Sequence, residues 1–119
     1  MTSLTVARAD QLYGGTDTVR DVFVFTTPGT SPVGVGHDTV FEFHHGVDDI
    51  YLKLMDADRA LTGNQDFTYN STTPKAHAVW FTVSGTDVLV HGDVNGNTVA
   101  DFEIKLSQVT MVSAIDFIL

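Results

Sequence analysis

Residues 86–106, TDVLVHGDVNGNTVADFEIKL, contain the clearest strand–turn–strand pattern in the chain. Apolar and polar residues alternate on both sides of the Asn95-Gly96 pair. Asn-Gly is a strong β-hairpin signal, because both residues readily adopt positive φ angles. We expect a three-residue loop that sets Val90 opposite Phe102, since this register pairs apolar side chains with each other. The stretch therefore predicts two antiparallel strands.

Further strand signals recur along the whole chain, and turn-forming residues separate them. They lie in residues 21–25, 38–43, 50–54, 66–70, 76–83 and 115–119. Residues 55–64 are the one helix candidate, which Gly63-Asn64 would end. Short strands at this spacing predict an all-β fold, an antiparallel β-sandwich with one short helix. No shift in composition marks a boundary, so residues 1–119 are expected to form a single domain.

The charge balance and the composition exclude several classes of function. Fifteen acidic residues against six basic ones give a net charge of −9. Such a surface repels phosphate backbones, which argues against a nucleic-acid partner. No apolar run reaches the roughly 20 residues that a membrane-spanning helix needs, so no membrane insertion is expected. The chain has no cysteine, which excludes disulfides and thiolate metal sites, and it has no basic-then-apolar signal peptide at its start.

The turn of the opening stretch also has the spacing of a calcium loop. Oxygen-bearing side chains occupy positions 1, 3, 5 and 9 of an EF-hand-type loop: Asp93, Asn95, Asn97 and Asp101. Position 6, which should be glycine, is Thr98, and position 12, which should be a bidentate glutamate, is Ile104. These two departures favour the hairpin interpretation, while weak calcium binding at the turn stays open.

Several stretches, taken in order, resemble one protein family. They are LYGG (12–15) with RDVFVF (20–25), GHDTVFEFHHGVDDIYL (36–52), DADRALTGNQDFTY (56–69), GDVNGNTVADFEIKL (92–106) and SAIDFIL (113–119). This order resembles the C-terminal domain of serralysin-type proteases and related domains of RTX (hemolysin-type) calcium-binding proteins. The resemblance implies that the sandwich retains a remnant β-roll edge near Gly14-Gly15.

The resemblance also implies a function. Such domains cap a calcium-binding β-roll and carry an uncleaved type I secretion signal, which here corresponds to Asp116, Phe117, Ile118 and Leu119. The expected role is a non-catalytic, calcium-linked module of a secreted bacterial protein. Its expected partners are the type I secretion apparatus and an upstream domain of a longer chain. Calcium would neutralise crowded carboxylates outside the cell, so that binding energy becomes folding energy.

The calcium ligands that the resemblance implies fall into two groups. The first group, near the roll, is Asp21, Asp38, Glu42 and Asp48, and the second is the 93–101 loop. Glu42 stands where the family has Asp, and Tyr51 replaces another Asp ligand. The glycine-rich turn also lacks its second glycine, which a tight turn with positive φ requires.

Other functions are weaker on the sequence. A calcium-independent carbohydrate- or protein-binding sandwich is the main alternative, with Trp80 or Phe81 as an exposed aromatic platform. An enzyme is not expected, because no nucleophile elbow and no HEXXH motif occur. His37, His44 and His45, together with Asp48 or Asp49, are of the residue types that bind zinc or nickel, although solvated loop histidines are the favoured interpretation. Neighbouring residues of a strand point to opposite faces, so His44 and His45 are not expected to share an ion.

Overall fold

The computed structural model describes residues 2–5, 11–13, 20–31, 33–34, 36–58 and 60–119. These residues form short strands and two 3₁₀ turns, at Pro28–Thr30 and Ala114–Asp116. The strands are β1 (Thr2–Thr5), β2 (Gln11–Tyr13), β3 (Asp21–Val24), β4 (Asp38–Phe41), β5 (Asp49–Tyr51), β6 (Thr68–Tyr69), β7 (Ala78–Ser84), β8 (Asp87–Gly92), β9 (Phe102–Leu106) and β10 (Phe117–Ile118). The expectation of a β-rich fold is confirmed.

The strands form two sheets. The four-stranded sheet has the order β1-β3-β5-β10, and the six-stranded sheet has the order β2-β4-β9-β8-β7-β6. Consecutive strands from β1 to β5 alternate between the two sheets. Side chains of both sheets, among them Phe23, Ile50, Val40 and Ile104, form one buried cluster, which is the core.

The predicted antiparallel arrangement is wrong for most of the fold. Only β7–β8 and β8–β9, among the described strands, pair in the antiparallel sense. All pairs of the four-stranded sheet are parallel, as are β2–β4, β4–β9 and β6–β7. An alternating sequence shows which side chains face the core, but it does not distinguish a parallel neighbour from an antiparallel one. The error therefore lies mainly in strand direction, and in location only for β1 and β2, which were not expected as strands.

The expected three-residue loop between β8 and β9 is also wrong. Val90 pairs with Ile104, and Gly92 pairs with Phe102, so residues 93–101 form a long loop. The Phe102 ring fits at this register because Gly92 has no side chain. A Cβ at position 92 would lie 2.1 Å from two carbons of that ring. The apolar side chains still meet across the pair, two residues out of the predicted register.

No helix forms in residues 55–58 and 60–64, the described part of the segment that was predicted as a helix. Its backbone forms turns instead. Asp56 Oδ1 accepts hydrogen bonds from the backbone N–H groups of Asp58 and Gln65, and Asp58 Oδ1 accepts one from Ala60. Aspartates that bond to nearby backbone offer the chain an alternative to the helix, and here that alternative prevails. Among the described residues, no helix is long and apolar enough to span a membrane.

Candidate functional site

Asp93 organises the loop between β8 and β9. Its side chain is fully buried. Oδ1 accepts hydrogen bonds from the backbone N–H groups of Asn95 and Gly96, at 2.9 and 3.0 Å, and Oδ2 accepts one from Thr98 at 2.8 Å. One carboxylate thus accepts hydrogen bonds from three backbone amides of the loop, and the backbone bends around it.

The other polar side chains of the loop continue this pattern. Asp101 Oδ2 accepts a hydrogen bond from the Val94 N–H at 2.8 Å, and its Oδ1 accepts one from Asn95 Nδ2 at 3.1 Å. Asn95 Oδ1 accepts from the Asn97 N–H, and Asn97 Oδ1 accepts from the Val99 N–H. The sequence reasoning therefore found a real cluster of oxygen-bearing side chains, although it assigned the turn the wrong length.

The backbone of the loop bends where a calcium loop requires it. Thr98, at position 6, has φ +63°, and Gly96 has φ +83°. A positive φ is rare for a β-branched residue and costs energy, so the surrounding contacts must enforce it. Position 12 differs from a calcium loop, because Ile104 is fully buried in β9 and belongs to the core. The loop therefore has the oxygens and the bend of a calcium loop but lacks its bidentate clamp.

The electrostatics of the loop favour an ionised carboxylate. Burial by itself raises the pKa of Asp93. The backbone N–H groups of Thr98, Asn95 and Gly96, together with the Asp101 side chain, outweigh burial and hold this pKa below its usual value. Amide donors favour the charged form of a carboxyl group. Asp93 is thus a charged ligand candidate near neutral pH.

Two of the four predicted roll ligands lie beside each other. The backbone N–H of Asp21 donates to Asp48 Oδ1 at 2.9 Å, and both residues are buried. Asp21 Oδ2 is buried and has no hydrogen-bond partner among the described residues. A buried carboxylate oxygen without a partner is energetically costly.

The other two predicted roll ligands do not join them. Asp38 is buried at the start of β4, in the six-stranded sheet, and its backbone N–H donates to Ser31 Oγ at 2.8 Å. Glu42 follows β4 and is exposed. Within the part of the chain that the structure describes, no three His, Asp or Glu side chains converge as a metal site. The four roll carboxylates are therefore not one ligand shell.

The C-terminal residues with the predicted secretion role are part of the fold. Phe117 and Ile118 form β10 and pair with Ile50 and Tyr51 at one edge of the four-stranded sheet. Asp116, fully buried, accepts hydrogen bonds from the backbone N–H groups of Gly46 and Ser113. Leu119 packs against the core cluster. These residues stabilise the folded domain, independently of their predicted role as a secretion signal.

The five histidines of the chain share one feature that the sequence did not reveal. Each imidazole lies within 4 Å of a carboxylate oxygen. His44 Nδ1 is 3.2 Å from Asp48 Oδ2, and His45 Nδ1 is 2.5 Å from Asp116 Oδ2. The partners of His37 and His45, Glu103 and Asp116, lie more than 60 residues away, so periodicity alone could not have found these two pairs.

An open cleft of about 470 Å³ lies next to two of these pairs, His44–Asp48 and His45–Asp116. It is lined by residues 43–45 and by residues 108–111, which follow β9. The backbone N–H of Gln108 donates to Asp87 Oδ1 at 2.9 Å, and this bond is the main reason that the pKa of Asp87 is lowered. The volume is within the range of small-ligand sites.

The aromatic platform that the alternative function needs is absent at Trp80 and Phe81. Trp80 is 4% exposed and Phe81 is 9% exposed. Trp80 stacks on His91 with ring centroids 5.8 Å apart, and Phe81 packs in the core cluster. Neither ring offers a face to a sugar.

Comparison with known proteins adds no identification. No protein-family model matches this chain, and no curated protein sequence is significantly similar to it. The resemblance to serralysin and RTX C-terminal domains therefore stays a prediction.

Proposed function

We propose that this domain is a non-catalytic, calcium-linked module of an exported RTX-like protein. The observation that carries the proposal is the 93–101 loop. It gathers the carboxylates of Asp93 and Asp101 with the side-chain amides of Asn95 and Asn97, and its backbone turns at Thr98 with the positive φ of a calcium loop. A calcium ion there would be held by these side chains and would offset their negative charge.

Two further features support the same function. Strands β1 to β5 alternate between two sheets with parallel partners, which is the winding expected of a β-roll edge joined to a sandwich. The unpartnered oxygen of Asp21 beside Asp48 is a second position where a cation would be stabilised. In this proposal the acidic chain stays weakly folded where calcium is scarce and gains stability where calcium is abundant.

Calcium titration tests the proposal. The purified chain, treated with chelator, is melted at rising Ca²⁺ concentration and titrated by calorimetry. Extracellular modules bind with dissociation constants of roughly 10⁻⁴ to 10⁻³ M. At a hundredfold excess over the dissociation constant, the free energy of unfolding rises by about 2.7 kcal/mol. Magnesium at equal ionic strength serves as the control for charge screening.

Matched variants assign the site. Asp101→Asn removes one ligand charge and should abolish the response to calcium. Asp66→Asn removes the same charge from an exposed side chain that only faces Lys53 at 3.8 Å, so it should leave the response intact. If chelator and calcium give equal melting temperatures for the wild-type chain, the calcium link is wrong.

The export role needs a separate assay. A passenger protein fused upstream of the chain should be released into the medium by bacteria that express a type I exporter, and not by bacteria that lack it. Ile118→Asp should reduce this release. Export that is equal with and without the exporter would refute the secretion role and leave the calcium result untouched.

One observation favours a calcium-independent binding module as the second candidate. All four carboxylate oxygens of Asp93 and Asp101 already accept hydrogen bonds from the chain, so the loop holds its shape by itself. Such a module would use the cleft between residues 43–45 and 108–111 for its ligand. It predicts full stability in chelator.

A further inference from the structure

We propose that His44 and His45 form a binding site for a late first-row divalent metal ion, Cu²⁺, Ni²⁺ or Zn²⁺, in the cleft that they line. This site lies apart from the 93–101 loop and takes another class of metal; it shares only Asp48, which faces His44, with the second calcium position. Calcium prefers oxygen ligands, whereas imidazole nitrogen suits copper, nickel and zinc.

His44 and His45 do not lie in an extended strand, so strand geometry does not force their side chains to opposite faces. Neighbouring side chains point apart only if the strand continues through them. Here β4 ends at Phe41, and the backbone turns at the histidines themselves, because the His44 carbonyl accepts the backbone N–H groups of Val47 and Asp48. His44 and His45 then lie in the turn that leads to β5, and both line the same cleft.

The hydrogen bonds of the two rings leave the same nitrogen for a ligand. Nδ1 of His44 faces Asp48, and Nδ1 of His45 faces Asp116. A neutral imidazole that donates from Nδ1 to a carboxylate carries its lone pair on Nε2. Histidines that bind metals usually donate their other ring N–H to a carboxylate in this way. The side chains of His44 and His45 are 41% and 36% exposed, so a metal ion in solution can reach them.

The two supporting carboxylates are held rigidly. The side chains of Asp48 and Asp116 have no exposed surface. Asp48 also accepts the backbone N–H groups of Asp21 and His44, and Asp116 accepts those of Gly46 and Ser113. Rings oriented by fixed second partners lose little freedom when an ion binds, which favours binding.

The rest of the ligand shell comes from the cleft and from water. Gln108, Thr110 and Met111 also line the cleft. With two imidazoles as the protein nitrogens, affinity should follow the general order for divalent ions, with Cu²⁺ above Ni²⁺ and Zn²⁺. The net charge of −9 raises the local concentration of any cation.

Metal titration of the tag-free chain tests the site. Cu²⁺ and Zn²⁺ are titrated by calorimetry in the presence of excess Ca²⁺, which should not compete. Long-range ¹H–¹⁵N spectra of the wild-type chain should show Zn²⁺ shifting the Nε2 signals of His44 and His45 while their Nδ1 sites stay protonated. This measurement needs no variant, so it does not depend on how well a variant folds.

Variants separate the ligands from their supports. His44→Gln and His45→Gln should each abolish binding, because each removes one of two nitrogens. Asp116→Asn keeps both rings and should weaken binding by about 10- to 100-fold. The matched control is His77→Asn. His77 also faces a carboxylate, that of Asp58, but it does not line the cleft. Asparagine tolerates the φ of +56° at this position.

Three results would overturn the site. One is absence of Cu²⁺ uptake at millimolar metal. Another is loss of binding in only one of the two glutamine variants, which would leave a single-histidine contact. The third is confinement of the Zn²⁺ shifts to His77, His91 or the 93–101 loop. Failure of this site would leave the calcium proposal standing, and the reverse also holds.

Discussion

Replacing Thr98 by glycine should make the domain more stable, although it removes a side chain. Thr98 has φ +63°, and its hydroxyl donates only to the neighbouring Asn97 carbonyl, on the surface. In the left-handed region, a residue with a Cβ has a conformational energy about 1–2 kcal/mol higher than in the right-handed region. Glycine has no such strain, but its greater conformational freedom in the unfolded chain lowers the free energy of unfolding by about 0.5–1 kcal/mol. The net expectation is a gain of about 0.5–1 kcal/mol.

That gain is measurable by urea unfolding and by calorimetry. An unfolding entropy of about 2.1 cal/mol/K per residue over 119 residues converts it to a rise in melting temperature of about 2–4 °C. The control is Thr72→Gly, since Thr72 is an exposed loop threonine without a positive φ. There the glycine should cost about 0.5–1 kcal/mol. The difference between the two variants isolates the strain, and equal effects of both would refute the bend at Thr98.

Three other variants test the packing and the charges. Gly92→Ala should destabilise the domain by about 1–3 kcal/mol, because the new methyl group meets the Phe102 ring, and urea unfolding should show a smaller penalty in a Phe102→Leu background. Phe117→Ala should cost about 3 kcal/mol in the same assay, since the ring is buried, whereas Ile115→Ala, at a position 68% exposed, should change stability by less than about 0.5 kcal/mol. Burial lowers the pKa of His91, although the carboxylate of Glu103 acts in the opposite direction. The unfolded chain therefore binds the proton more readily than the folded chain. The free energy of unfolding should fall as the pH drops below about 6.5. His91→Gln should flatten that fall, measured as the free energy of unfolding between pH 7 and pH 5, and an unchanged slope would contradict it.

The sequence predicted where strands lie better than how they pair. The segments around Val22, Val40, Ile50, Val79 and Val88 were all expected as strands, because apolar periodicity reports burial directly. Strand direction depends on connections between distant segments, which no local pattern contains. The parallel pairing of β4 with β9 joins residues more than 60 positions apart, and only the folded chain shows it.

Polar side chains that bond to the backbone caused the other errors. Asp56 and Asp58 replace a helix with turns, and Asp93 replaces a tight hairpin with a longer loop. The spacing of the oxygen-bearing residues in that loop was nevertheless read correctly. The cleft beside His44 and His45 was missed, because its other lining residues, 108–111, are distant in the sequence.

The place of β10 at the sheet edge has a consequence for the order of folding. Phe117 pairs with Ile50, so the four-stranded sheet receives its last strand from the final residues of the chain described here. A ribosome that emits 5–20 residues per second withholds this strand until synthesis of the domain is nearly over. Until then the partner edge of β5 is unpaired, and long-range parallel closure is slow. We therefore expect chains truncated before residue 116 to be more sensitive to protease than the chain that includes β10.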